Sequence, residues 1–172
     1  MESYKFLDYY GVTTFKTKSD KLHREDGPAF ISADKKCQIW FLNGKEHRED
    51  GPAYIDKNCK KYFIKGKLHR ADGPASEYLN GDKWWYLNGN LHREDGPAVD
   101  IISNRNASLN RKEYYFEGKF HRVGGPAVIT VSSKEWWKSG KRHRLNAPAI
   151  IYNNSTEDYY EFGKRVKKNV KR

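Results

Sequence analysis

Six histidines stand in this chain of 172 residues, and each opens a nearly identical heptapeptide. His-Arg-Glu-Asp-Gly-Pro-Ala occurs at 23–29, 47–53 and 92–98, and His-Arg-Ala-Asp-Gly-Pro-Ala at 69–75. Looser copies are His-Arg-Val-Gly-Gly-Pro-Ala at 121–127 and His-Arg-Leu-Asn-Ala-Pro-Ala at 143–149. The motif residues are thus His23, Asp26 and Pro28; His47, Asp50 and Pro52; His69, Asp72 and Pro74; His92, Asp95 and Pro97; His121 and Pro126; His143 and Pro148. An imidazole beside a carboxylate is the material of acid–base catalysis and of metal ligation. Spacing argues against both. If each copy contributes two strands, equivalent histidines lie about 9.6 Å apart, whereas a metal gathers its nitrogens at roughly 2.0–2.1 Å. Within one copy His47 and Asp50 can meet, but two ligands make a weak site. An enzyme needs one special site, and here every special residue recurs. No Gly-x-Ser-x-Gly elbow and no Gly-rich phosphate loop occurs either. We therefore expect no catalytic residue, no metal, no cofactor and no enzyme. The expected roles are structural: Asp bonds turn N–H groups, Gly permits a bend, Pro stiffens it, and Arg bridges acids of its own or the next copy, as Arg48 to Glu25 or Asp26.

The elements that position these residues follow from counting back from each histidine. Three residues earlier stands Gly44, Gly66, Gly89, Gly118 or Gly140, with Asp20 in the first copy. Six and seven residues earlier stands a pair of aromatics: Trp40-Phe41, Tyr62-Phe63, Trp85-Tyr86, Tyr114-Tyr115 and Trp136-Trp137. Tyr159-Tyr160 begins a final half-copy, and the first copy has Lys16-Thr17 at this place. Asn43-Gly44 and Asn88-Gly89 are type I′ turn signals, since Asn and Gly tolerate positive φ. A second set of turns lies midway between copies, at 56–58, 80–81 and 153–154. Pro has no N–H for a ladder, so each Asp-Gly-Pro is expected to bend the chain before a strand resumes after the Ala.

Six and a half copies of a ~23-residue unit thus predict an all-β fold: an elongated, single twisted antiparallel meander sheet of tandem hairpins. The expected layout is an N-terminal cap segment (1–14), a repeat domain (15–165) and a basic tail (166–172). The longest step, from His92 to His121, places a polar loop around 103–111. Neighbouring strand residues face opposite sides, so the aromatic pairs are expected to form two ladders. One is to be buried under the bends. The other is to be covered by twist and loops, or to serve as a binding or dimerisation face.

Aromatics make up 15% of residues against 37% hydrophobic overall, which suits a thin, sheet-rich body rather than disorder. The net charge is +11 and is concentrated in the last ten residues, which hold no acid. Lys45, Lys67, Lys119, Lys141 and Arg142 follow the turns, and Lys164, Arg165, Lys167, Lys168, Lys171 and Arg172 extend them into a candidate polyanion-binding stripe. Interleaved aromatics would let single-stranded bases stack there; the plainer alternative is that exposed Lys protects sheet edges. No apolar run is long enough to span a membrane, and the first residues lack the order of a secretory signal. Cys37 and Cys59, at equivalent positions, lie too far apart in this scheme for a disulfide. Free thiols and an intracellular setting, cytoplasm or nucleus, are expected.

The unit Trp-Tyr-x-Asn-Gly-Lys-x-His-Arg-x-Asp-Gly-Pro-Ala resembles the MORN repeat, best at Ile39–His47. The resemblance covers about residues 15–165. It departs from that family where Gly-x-Gly after the His gives way to Arg-Glu-Asp-Gly-Pro-Ala, a variant similar to repeats of large DNA viruses and some bacteria. It implies a scaffold for protein contacts, with phospholipid binding in some members, and, for a viral chain, a place in the virion. The leading expectation is a non-enzymatic interaction module with a basic surface and a protein partner. Sequence-independent nucleic-acid binding through the basic edge and tail is the alternative, and an acidic lipid surface a weaker one. The oligomeric state is open, a dimer included.

Overall fold

The computed structural model describes residues 2–102 and 106–167. The chain divides into two compact units, residues 1–79 with 86–89, and residues 80–85 with 90–172. The fold is all-β, and its fourteen meander strands follow chain order. In the first unit these are Tyr4–Leu7, Thr13–Lys16, Phe30–Ile31, Gln38–Ile39, Tyr54–Ile55, Cys59–Lys61 and Ser76–Tyr78. In the second they are Lys83–Trp84, Val99–Ile101, Arg111–Glu113, Val128–Thr130, Ser133–Glu135, Ile150–Tyr152 and Glu157–Asp158. Among the described residues the strand pairings are antiparallel, for example Ile39 opposite Tyr54 and Glu113 opposite Val128. The expected antiparallel repeat meander is therefore what the chain forms.

The unit is built differently from expectation in one respect. The Asn-Gly hairpins are not strands of the meander. They form small ribbons of their own, such as Phe41–Leu42 with Lys45–Glu46 and Trp137–Lys138 with Lys141–Arg142. The first aromatic of each pair lies between a meander strand and its ribbon, outside any strand. Its N–H donates to the carbonyl of the next motif Ala (Trp40 to Ala53, 2.8 Å) and its carbonyl accepts from the motif His N–H (His47, 3.0 Å). The chain thus turns out of the sheet at this residue, and the simple alternation that predicted two opposed aromatic ladders does not apply.

The most enclosed positions within each unit are consequently the motif alanines. Ala29, Ala53, Ala75, Ala98, Ala127 and Ala149 are each 0% exposed. All twelve ladder aromatics, Trp40 and Phe41 through Tyr159 and Tyr160, are half-buried. A methyl group fits where the hairpin folds back onto the sheet, and the rings close over the flanks.

The tips follow the type I′ pattern in six copies, not only at the two Asn-Gly pairs. Asn43, Lys65, Asn88, Glu117, Ser139 and Phe162 have φ of 47–54°, and each is followed by a positive-φ glycine. Gly66, at φ 78°, leaves a Cβ only ordinary contacts of 3.5 Å and beyond, with Lys45. Gly66→Ala should therefore cost through backbone strain alone, about 1–2 kcal/mol, read as a lowered urea midpoint with an unchanged m-value. The first copy uses a longer turn, Thr17 to Lys21, with Asp20 at φ 60°. That extra residue shifts its aromatic pivot to Phe15, whose N–H donates to Ala29 at 2.8 Å. Lys16-Thr17 is not the counterpart of the later pairs. In the long loop, Ala107–Leu109 form one 3-10 turn capped by the Asn106 side chain. Cys37 and Cys59 are free thiols, and burial pushes both up from the ordinary thiol range.

Candidate interaction surface

The histidine of each motif points into the hairpin of the following copy. Its Nδ1 accepts the backbone N–H of the first tip residue: Asn43 to His23 at 3.0 Å, Lys65 to His47 at 3.2 Å and Asn88 to His69 at 3.1 Å. In the second unit Glu117 donates to His92, Ser139 to His121 and Phe162 to His143, at 3.2–3.3 Å. The tip glycine beside it donates to the preceding copy, as Gly44 to the Leu22 carbonyl and Gly163 to the Arg142 carbonyl, both 2.8 Å. Both tip donors are thus satisfied by the preceding copy. An Nδ1 that accepts carries no hydrogen, so this bond requires a ring with its proton on Nε2. His23 is 1% exposed and His143 9%.

The motif arginine lies over the aromatic pivot. Its guanidinium carbon is 3.8–4.2 Å from the ring centroid in six copies: Arg24 on Phe15, Arg48 on Trp40, Arg70 on Tyr62, Arg93 on Trp85, Arg122 on Tyr114 and Arg144 on Trp136. In the four complete copies Nε donates to the Asp two residues on, at 2.7–3.0 Å for Asp26, Asp50, Asp72 and Asp95. Those guanidinium groups hold the four carboxyls below the usual carboxylate range. Of the two expected bridges, the one within a copy forms: Arg48 Nε meets Asp50 rather than the exemplified Glu25 or Asp26, because stacking on Trp40 aims Nε along its own loop. In five copies Nη1 also donates to the motif Pro carbonyl, as Arg122 to Pro126 at 3.1 Å. The motif glycine serves this clamp rather than a left-handed bend. A Cβ on Gly96 would stand 2.8 Å from the Arg93 guanidinium carbon.

The lysines take the opposite position. In the first unit the aliphatic stem of Lys21 lies 3.6–3.8 Å from a Cβ position on Gly44, and Lys45 and Lys67 do the same at Gly66 and Gly89. In the second unit Lys119 and Lys141 lie over Gly140 and Gly163, while Asn90 takes the place at Gly118. All of these side chains are exposed, as are Lys164 and Lys167. Each stem is held by packing on the next tip while its ammonium stays in water. Lys21 escapes a search built on Gly-Lys pairs. Its signal is its place two residues before a motif histidine, shared by Lys45, Lys67, Lys119 and Lys141.

Two other candidate basic residues face elsewhere. Arg142 pairs with Glu135 at 3.2 Å and lies over Trp137, and Arg165 pairs with Asp158. Lys168, Lys171 and Arg172 lie outside the described residues. The first-row rings present one face to arginine, so a stacking platform for bases on that row is blocked on that side. Among the described residues no group of three or more His, Cys, Asp or Glu could hold a metal ion, and no helix is long and apolar enough to cross a membrane. The chain matches no protein-family model, and no curated protein matches it.

Proposed function

We propose that this chain is a non-enzymatic interaction module that meets an acidic protein segment with the lysine-bearing hairpin tips of each unit. The carrying observation is a division of labour within the repeat. His, Arg, Asp and Pro are spent on holding one copy to itself and to the next, whereas the lysines are fixed at the stem and exposed at the charge. The MORN-like pattern of the sequence supports the same reading of a scaffold rather than a catalyst. Partner contact is then electrostatic and tolerant of sequence.

Nucleic-acid binding through the same tips is the second reading, and exposed Lys164 and Lys167 just beyond the last tip favour it. Fluorescence anisotropy with a labelled oligoglutamate peptide and with single-stranded DNA separates the two. For DNA contacting about five lysines, affinity should fall roughly 100-fold between 50 and 200 mM salt. Lys45→Ser, Lys67→Ser, Lys119→Ser and Lys141→Ser together should weaken the favoured probe and flatten that salt dependence. Equal binding by this variant, or no binding of either probe at 50 mM salt, rules out the tips as the contact surface.

A further inference from the structure

The histidine contacts have a consequence independent of any partner. Each joins a tip to the preceding copy through an acceptor that exists only while the ring is neutral. A proton on Nδ1 turns that acceptor into a donor facing another N–H. We propose that the imidazole row is an acid-sensitive latch between consecutive repeats, with His69, His121 and His143 as its most responsive members.

The three differ from the rest in what surrounds the ring. Glu25, Glu49 and Glu94 place a carboxylate oxygen 3.5–3.7 Å from Nε2 of His23, His47 and His92, where it favours a charged ring within the closed structure. The same loop position holds Ala71, Val123 or Leu145 beside His69, His121 and His143. From the following hairpin, the residues that meet these three rings through their N–H are Asn88, Ser139 and Phe162, none of them charged. The Phe162 ring also stacks on His143 with centroids 4.0 Å apart, whereas Phe116 lies between two rings, 4.9 Å from His92 and 6.2 Å from His121. The other three rings meet Asn43, Lys65 and Glu117. At His69, His121 and His143, therefore, neither the loop residue two positions on nor the bonding tip residue carries an acid.

The sign follows from linkage. The closed latch needs an unprotonated Nδ1, so the open form binds more protons, and closure weakens as pH falls. The motif carboxyls act at lower pH. Arg24, Arg48, Arg70 and Arg93 hold their aspartates below the usual carboxylate range, so those pairs persist above it and are lost only in stronger acid. The interval from pH 7.5 to 5.0 therefore leaves these four pairs in place.

Two measurements on the full chain test this. The thermal midpoint should fall by ~5 °C or more from pH 7.5 to 5.0. The variant His69→Asn, His121→Asn and His143→Asn keeps an acceptor oxygen near the Nδ1 position and does not titrate there, so it should lose at least about half of that fall. An unchanged fall overturns the proposal. In the unaltered protein, hydrogen-exchange protection of the Asn88, Ser139 and Phe162 amides, corrected for intrinsic rates, should drop over the same interval. Protection of these three amides that stays constant to pH 5.0 overturns it even if the variant does not fold.

Discussion

Ala98→Leu is expected to be among the most damaging single changes in the chain, with stability lowered by about 3 kcal/mol. Ala98 is 0% exposed and sits where the Trp85 N–H donates to its carbonyl at 2.8 Å. Three further carbons have no space there unless the hairpin lifts from the sheet, which would also loosen Arg93 from the Trp85 ring, now 4.0 Å away. The thermal midpoint should drop by roughly 5–10 °C. The control is Val123→Ser, at a position 87% exposed, expected to change stability by under about 0.5 kcal/mol. A small effect of leucine at 98 would mean that the alanine row is not the tight centre of the repeat.

His23→Ala should cost a similar amount. The ring is 1% exposed and its Nδ1 takes the Asn43 N–H. Removal leaves that donor without its acceptor, at about 1–3 kcal/mol, and adds a cavity the size of the ring. His23→Asn restores an acceptor but not the volume, and should recover part of the loss in a urea titration. Asp26→Ala makes the instructive contrast. Asp26 belongs to the same motif and is just as conspicuous in sequence, yet its side chain is 84% exposed. An exposed pair of this kind contributes little, so the two changes should separate clearly although they stand three residues apart.

The repeat, its strands and its turns were legible because each rests on local chemistry. Asn43-Gly44 and Asn88-Gly89 announce a type I′ turn through residues that tolerate positive φ. Lys65, Glu117, Ser139 and Phe162 adopt the same conformation without announcing it. What the four share is the histidine of the preceding copy, which accepts their N–H from 18 to 25 residues away in sequence. A tertiary bond imposes the turn, and no local pattern records it. The alanine row was hidden for a related reason. Ala after Pro reads as the end of a bend, and only the folding-back of the hairpin turns it into the most enclosed position. The aromatic pairs drew attention as the core because their rings are large, but strand alternation fails at the pivot, where the chain leaves the sheet. Arg142 illustrates the limit for the surface. It adjoins Lys141 in sequence, yet neighbouring residues of a ribbon face opposite ways, so the arginine turns to Glu135 while the lysine lies over Gly163.

Everything that distinguishes this repeat depends on the N–H···Nδ1 bond between a tip and the histidine one copy earlier. In protein labelled with 15N, that bond transmits a scalar coupling between the tip amide nitrogen and the imidazole nitrogen. At pH 7.5 the expected result is a coupling for each pair, from Asn43–His23 to Phe162–His143, with every ring protonated on Nε2. Rings protonated on Nδ1, with no coupling to the tip amides, would contradict the stacking of repeats through histidine.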